Sequence, residues 1–133
     1  MEQAVPAELK LLGVAVVIGL VQLLWATVAA ARGQSRAWLL GPRDEPRALG
    51  ETAGRLERAY RNFLETFPLF AAAVIAADLA GKLGALTLWG GGLYVAARAL
   101  YVPLYAFGVP VARTLVWTAG SAGLLLVVAA FFT

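Results

Sequence analysis

The sequence contains no cysteine and no histidine. Without cysteine there is no disulfide framework, no thiolate metal site and no cysteine nucleophile. Without histidine there is no imidazole base and no Ser-His-Asp triad. Any nucleophile is therefore a hydroxyl, a carboxylate, an amine or a group brought in by a second molecule. Charge is also scarce: 14% of the 133 residues are Asp, Glu, Lys or Arg, against about a quarter in an ordinary soluble domain. What fills the chain instead is apolar. Hydrophobic residues make up 61%, and the mean hydropathy is +0.76. A bilayer-crossing helix needs about 20 mostly apolar residues, so the total suffices for about four. A large soluble domain is excluded.

The apolar residues fall in runs that predict membrane helices at about 6–31, 56–80, 84–107 and 111–132, with a polar loop at about 32–55, all in one domain, 1–133. From Leu11 to Ala31 the only polar residues are Gln22 and Thr27. Ala29-Ala30-Ala31 has the look of a signal-peptide cleavage site. The apolar stretch is too long for that reading, and its start, with Glu2 and Glu8, is acidic rather than basic. A retained helix is expected. The loop holds Gly33, Gly41, Pro42, Pro46, Gly50 and Gly54, all breakers of regular structure. The joints near Ala80-Gly81-Lys82 and Gly108-Val109-Pro110 are short, which makes neighbouring helices antiparallel. The expected fold is all-α, an integral membrane bundle of four transmembrane helices.

Cations set the orientation. The first loop and its margins carry Arg32, Arg36, Arg43, Arg47, Arg55 and Arg58, while the second joint has Lys82 and the third Arg113. The positive-inside rule places the first loop and third joint in the cytoplasm and both termini on the opposite side. Asp44, Glu45 and Glu51 do not alter this, since the rule counts Lys and Arg. The sequence pI near 9.7 is explained by attraction to anionic lipid headgroups. No base-stacking or groove-reading module accompanies the basic residues, so nucleic acid is not an expected partner.

Ionisable groups inside spans are the most informative feature, because each costs about 2.5–3.5 kcal/mol or more to insert. On the second span Arg58, Arg61, Asn62 and Glu65 fall within an arc of about 100°; on the third, Tyr94, Arg98, Tyr101 and Tyr105 share about 60°. Counted from the cytoplasmic side, Glu65 lies about 10 Å deep and Arg98 about 15 Å. A Glu65–Arg98 pair across the helix interface is predicted, and loss of either residue is expected to disrupt assembly. Arg58, Arg61 and Arg113 then remain as an excess, with Arg32 nearby. Arg58 is expected to reach the headgroups; Arg61 is balanced between that and a pocket. The pocket reading is a cationic site for an anionic ligand, with Asn62, Tyr101, Tyr105 and Thr114 as neutral donors. Pro68 and Pro103 suggest kinks beside it. Gly90-Gly91-Gly92 and the alanines of 71–77 read as packing surfaces.

The segment Arg58-Ala-Tyr-Arg-Asn-Phe-Leu-Glu65-Thr-Phe-Pro68 resembles the helix-two signature of the MAPEG family, the membrane-associated proteins of eicosanoid and glutathione metabolism. Arg98-Ala-Leu-Tyr101-Val-Pro-Leu-Tyr105 followed by Arg113-Thr114 is similar to its pattern in helices three and four, and Gly41-Pro-Arg-Asp-Glu45 resembles a run of the bacterial branch. The resemblance implies a homotrimer of four-helix protomers that binds glutathione between protomers, near the cytoplasmic side. It implies that Arg61, Asn62 and Glu65 hold the tripeptide from one protomer, and Arg98, Tyr101, Tyr105 and Arg113 from the next. Arg113 and Thr114 match positions proposed to stabilise or activate the thiolate. Arg32 is the helix-one arginine chosen for the site, with Arg36 as the alternative. Tyr101 stands where some members carry histidine, and the spacing from Tyr105 to Arg113 differs among members.

The implied activity is that of a glutathione transferase or peroxidase acting on a lipophilic electrophile or hydroperoxide, in a bacterial inner membrane with both termini periplasmic. Glutathione is the co-substrate, no metal is needed, and the partners are membrane lipid, a lipophilic small molecule and two further copies of the chain. A non-catalytic binding or accessory protein of the same fold is the alternative; an anion channel is a third reading. The absence of cysteine fits the first, since the sulfur would be imported.

Overall fold

The computed structural model describes residues 4–46 and 48–133. Glu2 and Arg47, used above for the acidic start and the loop charge, lie outside the described residues. All regular elements among the described residues are helices: α1 (Ala7–Ala31), α2 (Arg36–Leu40), α3 (Glu51–Leu79), α4 (Ala85–Ala106) and α5 (Pro110–Phe132).

Local chemistry accounts for most of the boundaries. α2, inside a stretch read as loop, is nucleated by Ser35, whose Oγ accepts from the Trp38 amide at 3.2 Å. Arg43 then fastens the turn beyond it by donating from Nε and Nη2 to the Leu39 carbonyl. α3 starts at Glu51, earlier than the position 56 expected from the onset of apolar sequence. A carboxylate in its first turn suits the helix N-terminus, and Arg55 reaches back to Glu51 across one turn. The helix thus continues past the apolar segment. α3 and α4 each stop at a glycine in the left-handed region, Gly81 at φ 66° and Gly108 at φ 71°. Past Gly108, the Val109 amide returns to the Leu104 carbonyl at 2.9 Å. Pro110 opens α5 in the first turn, where its missing N–H is not needed. Pro68 and Pro103 both lie within uninterrupted helices.

Among the described residues three helices, α1, α3 and α5, are long and apolar enough to cross a membrane. The chain is a multi-pass membrane protein. α4 has the length, 22 residues, or about 33 Å. Its Arg98, three tyrosines and three consecutive glycines reduce its apolar content. Those polar residues point inward: Thr87, Tyr94, Arg98 and Tyr101 are all buried. Outward faces are apolar instead, as with Val17, Leu20, Val21 and Leu24 on α1 and Leu115 and Leu125 on α5. That inversion of a soluble protein's surface is what a lipid solvent selects.

α3 and α4 each contact the other three long helices. One apolar cluster gathers Ala15, Phe70, Val74, Tyr94, Val95, Leu124 and Val127; a second gathers Ala26, Leu56, Val102 and Ala106. The closest approach is between α4 and α5. A Cβ added at Gly90 would lie 2.6 Å from the Gly123 carbonyl oxygen, and one at Gly123 would lie 2.6 Å from that of Gly90. The neighbour is backbone and cannot yield. Gly92, in the same glycine run, would meet nothing within 4 Å. Gly90→Ala is therefore expected to cost roughly 1–3 kcal/mol and to lower the unfolding midpoint in detergent. Gly92→Ala should leave that midpoint unchanged or raise it. Equal midpoints for the two variants would contradict this packing.

Candidate functional site

The polar faces of α3 and α4 meet, but not through the pair expected. Arg98, 3% exposed, donates from Nη1 to Asn62 Oδ1 at 2.7 Å and from Nη2 to Thr66 Oγ1 at 2.6 Å. Asn62 in turn donates from Nδ2 to Glu65 Oε2 at 3.3 Å. The predicted direct Glu65–Arg98 pair is thus replaced by an amide bridge. Asn62 is the side chain that can serve both neighbours, since its oxygen accepts from a guanidinium while its nitrogen donates to a carboxylate. The rings of Tyr94 and Tyr101 lie beside the Arg98 guanidinium at 5.5 and 5.4 Å. Thr66 Oγ1 and the Tyr94 hydroxyl share a further hydrogen bond of 3.0 Å. Among the described residues, no carboxylate forms an ion pair with Arg98. A buried cation is held here by neutral groups and π faces.

Beside this cluster lies a cavity of about 260 Å³ lined by Asn62, Tyr101, Tyr105, Arg113, Thr114 and Trp117. Arg113 sits over the Tyr105 ring at 4.6 Å. Tyr105 also accepts from Arg58 Nε at 3.1 Å through its hydroxyl. The ring is therefore fixed by two arginines, one from α3 and one from α5. Thr114 donates from Oγ1 to the Pro110 carbonyl at 3.0 Å. With its proton committed there, Thr114 leaves Arg113 as the charged donor of the cavity wall. The site is rich in fixed positive charge and hydroxyl groups, and it suits a carboxylate or thiolate more than a cation.

Of the residues picked from sequence, Asn62, Tyr101, Tyr105, Arg113 and Thr114 line one cavity, with Arg98 joined to it through Asn62. Glu65 is exposed on α3 and reaches the cluster through Asn62. Arg61 does not line this cavity; it is exposed and pairs with Glu57 at 3.1 Å. Arg32 caps the end of α1, and Arg36 lies exposed in α2; neither lines the cavity. Three contributors were missed or underrated. Thr66 lies one turn beyond Asn62, and Trp117 one turn beyond Arg113, so helical spacing from chosen residues would have found both. Arg58, expected to reach the headgroups, is exposed and also meets Tyr105, a partner on another helix that spacing along α3 does not reveal.

The model of the MAPEG family matches residues 11–133. A comparison with curated proteins gave no match.

Proposed function

The chain belongs to the MAPEG family, and from that premise we propose that it binds glutathione and joins its sulfur to a lipid-dissolved electrophile, or uses it to reduce a lipophilic hydroperoxide. The single observation that carries this reading is a buried, carboxylate-free Arg98 beside a cavity whose wall holds Arg113. Glutathione brings two carboxylates, one ammonium and the sulfur that this cysteine-free chain lacks. Arginine binds carboxylates in a planar fork, and a guanidinium near a thiol favours its ionised form. In the transfer reaction the thiolate forms a bond to an electrophilic carbon, and the leaving group departs with the bonding pair. The chain's contribution is thiolate stabilisation by Arg113 and proximity, with Asn62, Arg98, Tyr101 and Tyr105 holding the tripeptide and the Thr114 hydroxyl donating to the sulfur when it turns from the Pro110 carbonyl.

The proposal includes four membrane spans, with α4 as the inward-polar fourth, and assembly as a homotrimer. Arg61, Glu65 and Arg32 lie outside the cavity of a single chain, and a second copy seated against α3 would give them a ligand to hold. By the loop cations, the site faces the cytoplasm of a bacterial inner membrane, with both termini periplasmic. Purified protein in detergent should bind radiolabelled glutathione and turn over a simple lipophilic electrophile. Binding without turnover on any conjugation or hydroperoxide substrate would favour the non-catalytic, accessory reading; no binding at all would remove both.

A further inference from the structure

Two side chains buried in the middle of the bundle have hydrogen-bonding atoms left over. Gln22 of α1 is 2% exposed, and among the described residues neither its Oε1 nor its Nε2 has a partner. Arg98 is 3% exposed, and its Nε–H has no acceptor, although Asn62 and Thr66 hold its other two nitrogens. An unmet amide or guanidinium N–H is expensive in a protein interior, and more so where no water surrounds the protein.

Packing puts these two residues within about one helical turn of each other. α1 and α4 run in the same direction: Leu11 faces Gly91, Ala15 shares a cluster with Val95, and Ala26 shares one with Val102. Carried forward, the spacing of the first two pairs sets Gln22 beside Val102, which lines a groove with it, one turn beyond Arg98. On α3, Leu56 clusters with Ala26, and the Phe63 ring faces Gly19, so Gln22 falls opposite the intervening stretch that carries Asn62. Gln22, Asn62, Thr66 and Arg98 thus all lie between members of the two apolar clusters along their helices. On its other side Gln22 borders a groove lined by Val17, Val21, Trp25, Ala99, Val102 and Pro103, with Ile18 beside them, which presents it no charged partner. The chemistry is complementary. Arg98 Nε–H can only donate, Gln22 Oε1 can only accept, and glutamine's side-chain torsions let the amide swing toward the seam.

We propose that Gln22 is a positioning residue for Arg98, its amide oxygen taking up the Nε–H bond that Asn62 and Thr66 leave unmade, directly or across one water. The guanidinium is then fixed by two helices, α1 and α3, while α4 carries it, and its charge cannot swing away from the cavity. The inference concerns the chain's own residues and stands whether or not the ligand is glutathione.

A double-mutant cycle on the full chain in detergent tests it. Gln22→Leu retains the bulk of the side chain; were the amide merely stranded, leucine would raise the thermal midpoint. The expected result is a lower midpoint for Gln22→Leu in the natural background, and no loss, or a gain, when Arg98 is replaced by Met. Equal shifts in the two backgrounds, or a rise in the natural one, would overturn the proposal. Should Gln22→Leu fail to accumulate, nitrogen-15 spectra of the arginine side chains decide it. Gln22→Glu keeps the acceptor and charges it, so the Arg98 Nε–H resonance should move downfield from its position in the parent; an unmoved resonance would overturn the proposal.

Discussion

Replacing Arg113 with alanine is expected to cut the thiolate fraction of bound glutathione at neutral pH by about tenfold or more, the effect of removing one short-range guanidinium from an ionising group. The expectation rests on the division of labour in the cavity wall. Arg113 is the charged donor there, stacked over Tyr105 at 4.6 Å. Thr114 already spends its proton on the Pro110 carbonyl. Its hydroxyl cannot replace the lost charge without breaking that bond. Thr114→Ala should therefore lower the thiolate signal less than Arg113→Ala does. Tyr105 loses one of its two arginine neighbours in Arg113→Ala but retains Arg58 on its hydroxyl, so the cavity should keep its shape. Ultraviolet difference absorbance on mixing protein with glutathione reads the thiolate directly. An undiminished signal in Arg113→Ala would assign the activation to another group.

Arg98→Met should separate binding from stability. The direct Glu65–Arg98 pair expected from sequence would have made this substitution disruptive, because it strands a buried carboxylate. The observed arrangement reverses that expectation. Glu65 is exposed and bonded to Asn62, and Thr66 keeps the Tyr94 hydroxyl. Each keeps a hydrogen-bond partner when Arg98 goes. A buried cation without a carboxylate partner is a net cost to folding, and exchanging buried ionic groups for apolar ones is often neutral or stabilising by roughly 1–4 kcal/mol. The variant is thus expected to unfold at the parent's temperature or above it. Affinity for glutathione should fall roughly 30-fold or more, as when one partner of a buried charged hydrogen bond is removed. Arg43→Ala, on the exposed loop, should change neither quantity by much. A parallel loss of stability and affinity in Arg98→Met would mean that the residue is structural.

The balance of sequence and structure follows from what periodicity can encode. The long helices were legible because uninterrupted apolar runs and glycine stops mark them, as at Gly81 and Gly108. α4 was legible as a helix by position, although its inward tyrosines and Arg98 leave it less apolar than its neighbours. α2 was not legible, since a single five-residue turn built on Ser35 and Trp38 has too short a period to register. In the site, the polar stripes on α3 and α4 were visible as arcs. Which members of the two arcs touch was not, because that depends on the rotation of each helix about its axis. Rotation brings Asn62 rather than Glu65 to Arg98, and sets Arg61 outward against Glu57. Gln22 shows the same limit. In the sequence it is one polar residue in an apolar run, and only packing shows it buried with its amide unpartnered among the described residues.

The central claim is that these arginines hold an anionic thiol as its thiolate. The most direct measurement is the ultraviolet difference absorbance of the purified parent protein on addition of glutathione, with S-methylglutathione as the control that cannot ionise at sulfur. The account predicts a saturable thiolate band with glutathione and none with the methylated compound. Absence of the band at saturating glutathione, or an equal change with both compounds, would contradict it.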